Sequence, residues 1–122
     1  MATIGEKETG TIAIEFNTVT VTPGRDGDVW LTPSEIARLF EAFVPAITSN
    51  IRAIYKHGAL RMSKTSNLPT AYAELYNLEM ISALAFRVDT PRSAAFRRWL
   101  IRRPLSRMVV LSVSQEERTV VN

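Results

Sequence analysis

The chain has 122 residues, 46% apolar and 22% charged, with a net charge of +3. That balance suits one globular domain with a core and excludes wholesale disorder and collagen-like repeats; the absence of cysteine excludes disulfides, iron–sulfur clusters and thiolate zinc sites. No run approaches the ~20 apolar residues of a membrane span, and the start MATIGEKETG lacks an apolar signal core, which predicts a cytoplasmic chain without a membrane partner.

Residues 1–10 are polar and read as a flexible N-terminus, and 11–107 as a single domain. Ile12, Ile14 and Phe16 alternate with Ala13 and Glu15 at the period of a half-buried strand. Val19–Thr22 and Val29–Leu31 flank the turn-forming stretch Pro23–Asp28 and are expected to pair as a hairpin. The period then becomes helical. Thr32, Pro33 and Glu35 spell a capping box with proline at the first helical position, so a helix starts at Pro33 with Ile36, Ala37, Leu39 and Phe40 as its apolar stripe. Pro45 opens a second helix carrying Ile47, Ile51, Ile54 and Tyr55, closed at Gly58, and the two form a helix-turn-helix. Ala71–Tyr76 reads as a short strand. Asn77 caps an apolar helix through Phe86, and Thr90-Pro91 starts another that puts Ala95, Phe96, Trp99 and Leu100 on one face, with Arg97, Arg98 and Arg102 pointing away. Met108–Val113 reads as a strand within a C-terminal segment, 108–122, whose end frays. The expected class is α+β: a small hairpin or sheet with a winged-helix-like helix-turn-helix and two further C-terminal helices. Trp30, Leu39, Ile51, Ile81, Phe96 and Trp99 are expected in one core.

The charge is unevenly placed. From Met1 to Phe86 there are 7 basic and 9 acidic residues, whereas Arg87 to Arg107 holds seven arginines against Asp89 alone. Arginine without lysine favours planar contacts to phosphate or carboxylate, and the same side chains could instead pair internally with Glu74 or Glu79. His57, the sole histidine, lies in a helix end followed by glycine, where the dipole explains a basic residue; it cannot alone supply a metal ligand set or a catalytic base for serine. Carboxylate pairs such as Glu116-Glu117 and Asp26/Asp28 lie in tail or turn contexts, and there is no phosphate-binding glycine loop. An enzyme, a metal site, a cofactor and a small-molecule substrate are therefore not expected.

Two blocks carry a resemblance. Val29-Trp30-Leu31-Thr32, Glu35-Ile36-Ala37, Leu39-Phe40, Pro45, Ile47-Thr48, Ile51, Ile54-Tyr55-Lys56, Gly58 and Leu60 form the first. Tyr76-Asn77-Leu78, Ile81-Ser82, Phe86-Arg87-Val88, Arg92, Phe96-Arg97 and Trp99 form the second. Together they resemble the N-terminal DNA-binding-like module of the virulence-protein RhuM family, and the second is distantly similar to the C-terminal part of phage Bro-N and KilA-N domains. The resemblance implies a regulator of phage or mobile-element origin, and the chain looks like an isolated N-terminal module of that family. It departs from the pattern where the family has glycine at the helix turn and a serine or threonine cap, since Glu41 and Phe43 stand there. Val44, Ser49 and Asn50 also replace cations of the second helix.

The leading expectation is a non-enzymatic protein that binds duplex DNA through Ser49, Asn50, Arg52 and Lys56 of the second helix and through Arg92, Arg97, Arg98 and Arg102. Asn50 and Arg52 are the donors suited to base edges. A homodimer is expected, with Met108–Val113 either pairing between copies or completing its own chain's sheet. The alternative function is a protein-interaction or assembly module that keeps the fold without DNA binding, motivated by Glu41 and Phe43 at the turn.

Overall fold

The computed structural model describes residues 3–61, 66–67 and 74–103. Strands β1 (Thr3–Glu6), β2 (Gly10–Glu15) and β3 (Thr18–Thr22) form an antiparallel sheet in that order. Period-two alternation in β2 buries Ile12 and Ile14, with Ile12 facing Ile4 on one side and Val21 on the other and Ile14 facing Val19.

Three expectations are corrected here. The N-terminus is ordered from Thr3, because an edge strand that sends only Ile4 into the core shows too little alternation to be read from sequence. The hairpin partner of β3 is β2, joined through the two-residue turn Phe16-Asn17, so Phe16 sits at the turn and is 90% exposed rather than inside a strand. Val29–Leu31 lies elsewhere: the Trp30 N–H donates to Thr9 O at 2.8 Å, and Leu31 exchanges backbone bonds with Tyr76. Glycine permits this route, since a Cβ on Gly24 would overlap the carbonyl of Glu8 in the β1–β2 turn.

Trp30 is consequently half-buried, with its Nε1–H on Asp26 Oδ2 at 2.8 Å. The backbone N–H of Asp28, then the indole N–H, hold the Asp26 carboxyl below its usual range. A lowered value in the folded state means that this contribution is present above the unfolded value and fades as pH falls through the folded one.

The capping box forms as the sequence predicts. Thr32 Oγ1 accepts from the Glu35 N–H at 3.1 Å and Glu35 Oε1 accepts from the Thr32 N–H at 2.9 Å, opening α1 (Pro33–Phe40). Glu41 ends α1 in the left-handed region, φ 54°. Helix α2 (Val44–Lys56) follows after three residues and buries Ile47, Ile51 and Ile54. Its N-cap, Phe43, is 84% exposed and makes no side-chain cap bond. Its backbone is already extended as a cap requires, so Phe43→Ser is expected to raise stability by about 1 kcal/mol, checked by a urea titration that leaves the m-value unchanged.

β4 (Ser66–Asn67) pairs with β5 (Leu75–Tyr76), the described end of the strand expected at Ala71–Tyr76. Burial, then the Glu74 carboxylate that accepts its hydroxyl proton, push the Tyr76 phenol well above its usual range. Asn77 caps α3 (Leu78–Ala85) by accepting from the Met80 N–H, and Asp28 reaches across from its loop to accept from the Leu78 N–H at 3.1 Å. Phe86, expected on the buried helix, is its C-cap and is exposed, because α3 ends one residue earlier than the apolar run suggests.

Thr90 caps α4 (Pro91–Arg102) in a second capping box, with Ser93 in the place glutamate takes in the first. Thr90 Oγ1 also donates to Phe40 O at 2.6 Å, tying the start of α4 to the end of α1. Leu39, Ile51, Ile81 and Phe96 are in the core as expected, whereas Trp99, like Trp30, is only half-buried. The architecture is α+β, a three-stranded antiparallel sheet with four helices among the described residues. Met108–Val113 and the tail lie outside the described residues.

Candidate nucleic-acid interface

Helical geometry sorts the side chains of α2. With Ile47, Ile51 and Ile54 inward, the opposite stripe is Pro45, Ser49, Arg52 and Lys56, all exposed. The helix carries no acidic residue. Ser49, Arg52 and Lys56 have no intramolecular partner among the described residues, so their donors are open to a ligand. Arg52 and Lys56 stand one turn apart, about 6 Å along the axis.

Asn50 lies on the flank of the helix and is engaged at both ends of its amide. Its Nδ2 donates to Ala46 O at 2.8 Å and its Oδ1 accepts from Arg87 Nε at 2.8 Å. The expectation that it stands free to read adenine is corrected. Arg87 stands beside it, an exposed guanidinium fixed against α2 by the amide it grips, its Nη groups without a partner among the described residues. Periodicity offered no signal for that residue, because its role depends on where α3 ends in space.

The arginines of α4 behave differently from the reading that they point away. Arg97 turns inward: Nη1 donates to Ala85 O at 2.6 Å, Val88 O at 2.9 Å and Ser93 Oγ at 3.3 Å, and Nη2 lies 3.8 Å from Asp89. Its acceptors are neither Glu74 nor Glu79 but carbonyls at and beyond the C-terminus of α3, which have no helical donor of their own. Arg92 donates to Ile14 O at 3.2 Å and pairs with Glu41 at 3.5 Å. Arg98 bonds Asn17 Oδ1 in the β2–β3 turn, and the guanidinium of Arg103 lies 4.5 Å from the Trp99 ring centroid. Arg102 alone among the α4 residues named for DNA contact has no partner among the described residues. A segment that carries seven of the fifteen basic residues is thus largely spent on holding sheet, turn and helices together.

Glu15, Phe16, Glu41, Pro91 and Arg92 line a shallow cleft beside the β2–β3 turn. Its two unlike features, an exposed aromatic ring and an excess of carboxylate over guanidinium, make it unsuited to phosphate. Among the described residues no group of three histidine, cysteine, aspartate or glutamate side chains could hold a metal ion, and no helix is long and apolar enough to cross a membrane.

No protein-family model matches the chain, and no curated protein or solved structure is a match for it.

Proposed function

We propose that the chain binds duplex DNA without catalysis, laying the outward face of α2 against the sugar–phosphate backbone with Arg52 and Lys56 as phosphate contacts, Ser49 as a neutral donor and Arg87 as a flanking cation. The observation that carries this reading is that α2 has no acidic residue and its cations have no partner among the described residues, while most arginines of α4 are committed to internal acceptors. Sparse base-edge donors on α2 favour binding that is weak and independent of sequence, driven by counterion release. The resemblance of the two sequence blocks to a RhuM-type module supports a regulator from a phage or mobile element, acting in the cytoplasm.

Arg52→Ala together with Lys56→Ala is the test. Both side chains are exposed and have no partner among the described residues, so stability should change by no more than ~0.5 kcal/mol. The slope of log affinity against log salt on random duplex DNA should fall by about two, one per lost phosphate contact. A folded double variant that binds with the parent's salt slope refutes the assignment. Exposed Phe43 at the α1–α2 turn favours a second reading, a protein-interaction module, in which the parent itself shows no salt-dependent DNA binding.

A further inference from the structure

The turn Phe16-Asn17 spends stability in two ways. Phe16 holds φ 55°, a left-handed conformation that a bulky residue rarely adopts, and exposes 90% of its surface. Glycine would fit the turn better, so folding does not account for an aromatic ring there.

Arg98 pins this turn to α4 through Asn17 Oδ1, so turn and helix present one continuous surface. On α4 the outward stripe is Ala94, Arg98 and Ile101, at spacings of four and three, and Ile101 is 71% exposed. Glu15 and Phe16 line the cleft at the Pro91–Arg92 end of the helix. Ile101 and Arg102 lie at the other end, ten residues or about 15 Å along the axis. The Glu15 carboxylate and the Arg102 guanidinium have no partner among the described residues. One surface therefore holds a carboxylate beside an aromatic ring at one end and a guanidinium beside an aliphatic side chain at the other, with Ala94 and the Asn17-bound Arg98 between them.

We propose that this surface is self-complementary and that two copies of the chain pair through antiparallel α4 helices. Glu15 and Phe16 of each copy meet Arg102 and Ile101 of the other about a twofold axis. Antiparallel pairing is the arrangement that brings unlike ends together twice, as an isologous contact requires, and it also opposes the two helix dipoles. The midpoint lies between Phe96 and Arg97, and about it Ala94 of each copy falls nearly level with Arg98 of the other, where a small side chain leaves room for the guanidinium stem. The contact is small and belongs with transient interfaces, and a particle of two such domains carries two copies of the α2 face.

The inference does not depend on DNA binding and is tested without DNA, by sedimentation velocity of the full chain up to ~0.5 mM, which spans the range of weak association. The parent should show reversible dimerisation. Glu15→Arg and Arg102→Glu should each weaken it at least ~tenfold by placing like charges opposite one another, and the two together should restore it, because the swapped charges attract again. Phe16→Gly should weaken the dimer while raising the denaturation midpoint, opposite signs that a purely structural turn residue would not give. A chain that stays monomeric throughout, as it would if residues 104–122 covered the face in cis, overturns the proposal. So does a dimer indifferent to either single charge change, as strand pairing through Met108–Val113 would be, or a double variant no better than the singles.

Discussion

Replacing Phe96 by alanine is expected to cost about 3–5 kcal/mol, the range of a fully buried aromatic ring. The side chain is fully buried where α4 meets α1, its ring edge-on to Phe40 at 5.7 Å between centroids and tilted against Trp99 at 5.2 Å. Alanine removes the transfer energy of the ring and leaves a cavity that two helices fixed by caps cannot close, since Thr90 holds the start of α4 to Phe40 O. Trp99→Ala should cost less, because the indole is half-buried and the exposed Arg103 guanidinium lies over its ring. Equilibrium denaturation of both variants checks the order. A Trp99 loss equal to or greater than that of Phe96 would place the centre of the core elsewhere.

Arg97→Ala is expected to cost about 2–3 kcal/mol, far more than an exposed arginine on a polar helix face. One guanidinium nitrogen serves the carbonyls of Ala85 and Val88 and the Ser93 hydroxyl, and Ser93 is itself fully buried. Without the donor, Val88 O keeps the Ser93 hydroxyl and Ser93 Oγ keeps the Thr90 N–H, but Ala85 O loses its side-chain donor in a part-buried setting, and desolvated oxygen without a partner is what makes such a deletion expensive. Lysine recovers only part of the loss, because the ammonium sits on a shorter and more flexible stem than the rigid guanidinium that carries Nη1 to these acceptors. The ion pair with Asp89 contributes little, as that carboxylate is fully exposed. Asp89→Asn should therefore be nearly silent in the same denaturation assay, and a loss comparable with Arg97→Ala would show that charge rather than carbonyl capping holds the side chain.

Local chemistry decided much of the fold and could be read without coordinates. Thr32, Pro33 and Glu35 announce α1; Asn77 announces α3; Thr90 and Pro91 announce α4; and the stripe Ile47, Ile51, Ile54 orients α2. Caps and helical stripes are legible because their partners lie within four residues, so the sequence window contains the whole interaction. The outward positions of Ser49, Arg52 and Lys56 follow from the same stripe.

What failed were statements about partners far away in sequence. Val29–Leu31 follows a turn-rich loop and so reads as the hairpin partner of β3, but β3 pairs with β2, and Leu31 joins Tyr76 across the fold. Asn50 looks like a base reader until Arg87, thirty-seven residues on, arrives at its amide. By itself the sequence determined where helices begin, which of their faces are apolar, the α+β class and the concentration of charge in one segment. Only the tertiary structure decided which of those charges are free. A guanidinium commits to the unsatisfied carbonyls or amides that packing brings within about 3 Å, and that juxtaposition is a property of the assembled helices and not of any local stretch of chain.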